Sequence, residues 1–188
     1  MELKEYQQKA LADVKCYLGA LETWRVKNEA VVAAAGVEAA LDVPAKAWAE
    51  TVRTFCFSRR NGLGAHTANF CLKIPTGGGK TLLAVKTIDH IQSVYLKRRT
   101  GFVLWIVPTT QIYRQTWKAL QDRAHPYRQH LDIVSGGHTL LRDKTDKFTP
   151  LDVSESLVVM MLMLPAASRN LITAHNSIAE TAVYAGGG

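Results

Sequence analysis

The sequence predicts an α/β domain, a parallel sheet with helices on both faces, and three stretches predict it. Phe70 to Ile74 is a short apolar run that leads into Gly77-Gly78-Gly79-Lys80-Thr81. Leu82, Leu83, Val85 and Ile88 follow at helical spacing, so the order is strand, loop, helix. Gly101 to Val107 is a near-continuous apolar run, as expected of a central parallel strand covered on both faces. Leu157 to Leu164 is another such run, too short to span a bilayer and closed by Pro165, so it reads as a buried strand and its exit.

The chain has 188 residues, enough for one domain with a sizeable core and too few for two full ones. Its formal charge of +7 favours a polyanionic partner. Cys16, Cys56 and Cys71 lack a C-x-x-C spacing, which predicts reduced, structural thiols. The scattered histidines, His125 and His130 included, have no carboxylate or cysteine cluster beside them, and no metal site is expected there. Met1-Glu2-Leu3-Lys4-Glu5 is charged and unlike a signal peptide, so a cytoplasmic protein without a membrane partner is the expectation.

Taken in order, Leu3, Tyr6, Ala10, Leu11, Val14, Tyr17, Leu18 and Leu21 mark an amphipathic helix over Leu3 to Leu21. Helix-like segments at Asn28 to Leu41 and Pro44 to Phe57 predict an added helical hairpin at about residues 23–57. Pro44 opens its second arm, and Trp24 and Trp48 are packing anchors. Ser58 to His66 is a polar, glycine-bearing loop whose Arg59-Arg60 pair is either solvated or set against nucleic acid. After the glycine loop, a helix from Lys80 to about Leu96 ends in Lys97-Arg98-Arg99, cations that complement its dipole. A helix is expected over Gln111 to Arg123, a short strand over Leu131 to Val134, and a basic polar stretch at Arg142, Lys144 and Lys147. Leu171 to Thr181 looks helical.

The chemistry concentrates in the glycine loop. Gly77, Gly78 and Gly79 lack Cβ atoms, so the loop can take left-handed angles and bring N–H groups against an anion. The helix starting near Lys80 adds free N–H donors and the positive end of its dipole. Lys80 supplies a point charge for β- and γ-phosphates, and the Thr81 hydroxyl suits Mg²⁺. The competing explanation is a glycine-rich turn with a solvated lysine.

Ile74-Pro75-Thr76-Gly77-Gly78-Gly79-Lys80-Thr81 has Ile74 where the generic G-x-x-x-x-G-K-T begins with glycine, and this form resembles motif I of superfamily 2 helicases and translocases. Leu3-Lys4-Glu5-Tyr6-Gln7-Gln8 resembles the L-R-x-Y-Q element that precedes motif I there, with Lys4 at the arginine position. Pro108-Thr109-Thr110-Gln111-Ile112-Tyr113-Arg114-Gln115 resembles motif Ia, P-T-x-x-L-x-x-Q. The chain as a whole looks like the N-terminal part of the Res subunit of type III restriction enzymes and its DEAD/DEAH-like relatives.

That resemblance implies an incomplete RecA-like P-loop NTPase domain, ATP and Mg²⁺ as cofactors, and ATP-driven movement on double-stranded DNA beside a methyltransferase or specificity subunit. It implies that Gln7 reads the adenine edge. Thr76, Gly77, Gly78, Gly79, Lys80, Thr81 and Leu82 would bind the nucleotide, Lys80 and Thr81 being catalytic and Thr81 on the metal. Pro108, Thr109, Thr110 and Gln115 would contact the nucleic-acid backbone. Gly136-Gly137 is either a further backbone contact or a simple turn, and Ser168 and Arg169 stand where motif Ib would lie.

Hydrolysis in this class also needs an acidic pair at the end of a further strand. None is legible: the late strand exits through Leu164-Pro165-Ala166-Ala167. No second motor half supplies an arginine finger, and the chain stops at Ala185-Gly186-Gly187-Gly188, so the isolated chain is expected to be inactive. The alternatives are a small-molecule P-loop kinase and a nucleotide-binding fragment without turnover.

Overall fold

In the computed structural model, residues 2–52 and 56–164 are described. The predicted exit Pro165 to Asn170, with Ser168 and Arg169, the helix Leu171 to Thr181 and the glycine tail lie outside them. The chain divides into two compact units at Lys97 and Arg98.

The first unit is built on α1, Glu5–Ala35. It runs through the position where the sequence suggested a break, because nothing between Leu21 and Asn28 is a helix breaker. The predicted first arm, Asn28 to Leu41, is therefore the far end of α1. Gly36, at φ 85, stops it, and its N–H closes the last turn onto Val32 O. A short 3₁₀ turn, Val37–Ala39, leads to α2, Val43–Val52, where Asp42 Oδ1 accepts from Ala45 N at 3.0 Å.

Leu18, Leu21 and Val14 of α1 pack with Ala47 of α2 in the core of this unit. Tyr17 meets Trp48 and Phe70 edge-on at 5.6 and 6.0 Å. Burial, with Cys56, Tyr95 and Asp42 nearby, pushes the Tyr17 phenol up to about 12. Trp24 is also an anchor: its indole donates to Glu50 Oε2 at 2.7 Å and Lys27 lies 4.2 Å over its ring.

The Ser58 to His66 loop is a small antiparallel hairpin of β1, Arg59–Arg60, and β2, His66–Thr67. Phe70 to Ile74 departs from expectation. It keeps a strand's alternation, with Phe70, Leu72 and Ile74 partly buried and Cys71 and Lys73 exposed, yet it joins no ladder among the described residues. A strand is defined by a partner's donors and acceptors, which burial alternation alone does not guarantee.

The helix after the loop, α3, is Lys80–His90, and it continues as a π-helical turn, Ile91–Leu96. Lys97 closes it in the left-handed conformation at φ 52. Its ammonium reaches Glu22 Oε1 at 2.6 Å, and Arg25 holds the other oxygen at 2.9 Å.

In the second unit, β3, Gly101–Val107, and β5, Leu157–Met163, form over the predicted stretches and pair in parallel. Among the described residues, however, β3 is an edge strand and not the covered central one expected: Gly101 to Trp105 are half-buried and Ile106 is exposed, because only β5 has a strand on each side. The strand β4, Thr139–Arg142, pairs parallel on the other side of β5, giving the order β3-β5-β4. Leu157, Val158, Val159 and Met161 are completely covered, as a middle strand requires. Helix α4, Thr110–Gln121, follows β3, and α6, Pro150–Glu155, precedes β5 behind a Thr149 capping box.

The predicted strand Leu131 to Val134 is instead part of helix α5, Pro126–Ser135. His125 caps it, Pro126 fits its first turn, and burial follows the helix: Leu131 is fully covered while Ile133 is exposed. A strand would have put both on one face. Arg128 fixes the helix by pairing with Asp132 at 2.9 Å and donating to Leu120 O and Thr139 O.

The hydrogen bond from Lys97, and then the Arg25 contacts, hold the Glu22 carboxyl below its ordinary value of 4.5. The depressed folded-state value means that the stabilisation is present above that pH and lost as pH falls through it. Glu22→Gln is expected to lower the urea midpoint at neutral pH and to leave the wild-type difference smaller at pH about 3, below the usual carboxylate range. Urea titrations of both chains at the two pH values measure it.

Candidate functional site: the glycine loop

The loop is held from below by α1. Gly78 O accepts from Gln7 Nε2 at 2.9 Å and from Tyr6 Oη at 3.0 Å. Lys4 N–H donates to Gln7 Oε1 at 2.9 Å, so the amide is tied at both ends, and Gln7 is only 5% exposed. No peptide in the described chain is cis. A planar trans peptide sets C=O and N–H on opposite sides, so aiming Gly78 O at α1 aims Gly79 N–H away from it.

The three glycines are required by geometry rather than by flexibility in general. Gly77 and Gly79 sit at φ 75 and 78, in the left-handed region. A Cβ on Gly78 would meet Ile74 Cγ2 at 2.6 Å and Pro75 O at 2.9 Å, and one on Gly79 would meet Gln7 Nε2 at 2.6 Å. By contrast, the space beside Gly77 is open. Gly78 N–H donates to Pro75 O at 3.0 Å, tightening the turn.

Gly79 is the N-cap of α3, and Leu83 N–H is the donor that closes onto Gly79 O at 3.0 Å. No side chain caps this terminus. The first-turn N–H groups of Lys80, Thr81 and Leu82 therefore stand at the positive end of the helix. Lys80 Nζ donates to Pro75 O at 3.0 Å, which places the exposed ammonium over the same turn. Thr81 is half-buried and Leu82 and Leu83 are buried, so Leu82 offers the site its backbone while its side chain packs in the core. Thr76 is exposed at the loop's entry.

These residues fit a bound nucleoside triphosphate with its magnesium ion. Gly77, Gly78, Gly79, Lys80 and Thr81 would hold the phosphates, and the Thr81 hydroxyl the cation. Each end of the Gln7 amide holds one backbone partner, so it orients the Gly78 peptide; the second Nε2 hydrogen and the second Oε1 lone pair are what the adenine contact implied by the resemblance would use. Sequence reasoning missed Tyr6 as a second donor to the same carbonyl; its place beside Gln7 in the Tyr-Gln pair was the available signal.

In the second unit Pro108, Thr109 and Thr110 join β3 to α4, all exposed. Thr109 is the N-cap, its Oγ1 accepting from Ile112 N at 3.3 Å, and Thr110 Oγ1 lies 3.5 Å from Met163 Sδ. Gln115 is exposed on α4, two positions past Tyr113, which stacks on Trp117. Gly136 and Gly137 have a structural duty: they end α5 at φ 68 and 93, with Gly137 N–H donating to Asp132 O. Of the three parallel strands, β4 leads into a carboxylate, Asp143. That group is spent on its own turn, accepting from Thr145 N at 2.7 Å and Thr145 Oγ1 at 2.6 Å, and the Thr145 hydrogen bonds hold it below its ordinary range. Among the described residues no group of acidic, histidine or cysteine side chains is arranged to hold a metal ion.

A helix that opens on an uncapped glycine turn carrying Lys-Thr, in a chain whose second unit holds a parallel α/β sheet, defines the class of nucleotide-binding P-loop domains. The family model described as "Type III restriction enzyme, res subunit" matches residues 1–161, and the chain belongs to that family of helicase-like ATPases. No curated protein and no solved structure matches it significantly. The incomplete RecA-like fold expected from the sequence is therefore the fold of this chain. No described helix is long and apolar enough to cross a membrane.

Gly79→Ala places a Cβ against Gln7 and in left-handed backbone that costs about 1–2 kcal/mol for an L-residue. About tenfold weaker ATP binding is expected by calorimetry, with helix content by circular dichroism unchanged.

Proposed function

We propose that this chain is the ATP-binding part of a DNA helicase or translocase motor of the type III restriction kind. The observation that carries this reading is the Gly78 peptide locked by Tyr6 and Gln7, which turns the Gly79 N–H away from α1 at the uncapped start of α3. Mg-ATP binds on Gly77 to Thr81, and Lys80 places its charge on the terminal phosphates. The nucleotide's phosphoanhydride supplies the free energy for movement. The chain's own residues bind the phosphates, orient them and shield the loop's backbone.

Thr109 and Thr110, at an exposed helix start, offer hydroxyls and N–H groups to a DNA backbone, and Gln115 lies farther along the same helix. Gly136 and Gly137 keep their backbone close to the surface at the end of α5 and can meet the same strand. A methyltransferase or specificity subunit is the partner that family membership suggests. The stretch of about residues 23–57, which holds the far part of α1 and all of α2, is an addition to a single N-terminal motor domain.

Because no acidic pair closes a parallel strand among the described residues, the isolated chain binds ATP without turning it over. A malachite-green assay that finds steady phosphate release from the 188-residue chain would contradict this point.

Lys80→Ala is expected to abolish ATP binding and spare DNA binding. Thr109→Ala is expected to do the reverse, with Thr109→Ser, which keeps the cap and hydroxyl, restoring it. Loss of both activities in both variants would count against two separate binding roles.

A further inference from the structure

Arg142, Lys144 and Lys147 form a basic stretch for which neither the glycine loop nor the Thr109 turn has a use. Its place in the fold gives it one. The strands β3 and β4 run parallel on either side of β5, so both point their C-terminal ends at the same edge of the second unit's sheet. There β3 delivers Pro108, Thr109 and Thr110 to the start of α4, and β4 delivers the loop of residues 143–149. Ligands of open parallel sheets collect outside this carboxyl edge.

The two loops stand within reach of one extended ligand. β3 ends level with Met163 of β5 and β4 ends level with Met160, with two strand spacings between them, so the chain leaves the sheet at points roughly 14 Å apart. Thr110 Oγ1 lies 3.5 Å from Met163 Sδ, which sets the start of α4 at the end of the middle strand. Tyr113 is one turn further on, and its phenol is pushed up by burial first and then by the Asp143 and Asp146 carboxylates of the β4 loop. The loop therefore stands beside the first turns of α4.

The loop is closed on itself. Asp143 Oδ1 accepts from Thr145 N, Thr145 Oγ1 and Asp146 N, and Asp146 Oδ2 accepts from Asp143 N at 2.8 Å. Phe148 then stacks on Phe102 of β3 at 5.0 Å and pins the far end. Both carboxylates are taken up by the loop's own donors. Lys144 and Lys147, by contrast, are exposed and make no hydrogen bond or ion pair among the described residues. Other cations of this chain serve the fold: Arg25 and Lys97 hold Glu22, and Arg128 holds Asp132. The helix α4 itself carries Arg114 and Lys118 and no carboxylate.

A fixed turn that exposes two ammoniums, roughly 14 Å from exposed threonines at a helix start, matches about four phosphates of one DNA strand at about 3.4 Å of axis each. Lysine takes a phosphate as a point charge and needs no base contact to do so.

We infer that Lys144 and Lys147 bind the phosphate backbone of DNA beside Thr109 and Thr110, so that one strand is held from the start of α4 to the loop after β4. The inference rests on the motor reading above and adds residues that reading does not contain.

The test is fluorescence anisotropy of the full chain with a labelled blunt DNA duplex over a salt series. Lys144→Ala combined with Lys147→Ala is expected to weaken binding about tenfold or more and to reduce the salt slope by about 1.8, about 0.9 for each duplex phosphate. Lys144→Arg with Lys147→Arg keeps the charge and most of the affinity. Lys9→Ala with Lys15→Ala removes the same charge from exposed positions on α1 and is expected to stay within about twofold of wild type, because distant exposed charges are screened. Calorimetric ATP affinity stays at the wild-type value in the loop variants, which reads the fold independently. Duplex binding at wild-type strength and slope in the loop alanine pair would overturn the inference. So would an equal loss in the α1 pair, which would make net charge the cause. If the loop pair binds normally while Thr109→Ala is weakened, the loop contact goes and the motor reading stands. A wild-type chain that binds no duplex sinks both.

Discussion

The glycine loop depends on one carbonyl. Gly78 O accepts from Tyr6 and Gln7 on α1, a helix more than seventy residues earlier in the chain. Without that grip, three successive glycines would be the most conformationally free segment of the unit, and ordering them around an anion would cost entropy at every binding event. With it, the peptide plane is set before any ligand arrives. The grip also explains why α1 is anchored so firmly. Leu11, Val14, Leu18 and Leu21 bury one stripe of the helix, which brings Gln7 to the loop at a defined height.

The same constraint limits what can stand at each position. A Cβ on Gly79 would push the Gln7 amide off its place and sit in left-handed backbone, and one on Gly78 would press on Ile74 and on the Pro75 carbonyl. The isoleucine that replaces the first glycine of the generic motif thus takes part in shaping the turn. Lys80 and Pro75 O close the arrangement from above, so the loop is bounded by side chains on one side and open beside Gly77.

The elements that carry chemistry were the most legible in the sequence, because glycine, proline and threonine act locally and their positions state the backbone they require. The two apolar strands β3 and β5 were legible as uninterrupted apolar runs, although only the middle strand β5 is covered as such a run suggests. Elements that depend on distant partners were not. Leu131 to Val134 looks β-branched, yet His125, Pro126 and Gly136 bracket it as a helix, and those brackets outweigh the weak strand preference. The strand β4 was hidden in a polar stretch because it is four residues long and its edge position demands little apolar sequence. Phe70 to Ile74 has the strand pattern without the ladder, since pairing is a property of two segments. In the site itself, the place of Gln7 was legible and its grip on the Gly78 peptide was not, because an amide on a helix does not announce which of its neighbours it will meet.

Inorganic tripolyphosphate, which has the phosphates of ATP and no base, separates the two duties open to Gln7. Calorimetric titration of the Mg-tripolyphosphate complex into wild-type chain and Gln7→Leu reads the loop alone. If the amide holds the Gly78 peptide in place, the substitution weakens tripolyphosphate and ATP by the same factor, about tenfold for one buried hydrogen bond. Unchanged tripolyphosphate binding beside weakened ATP binding would contradict it and return Gln7 to the base.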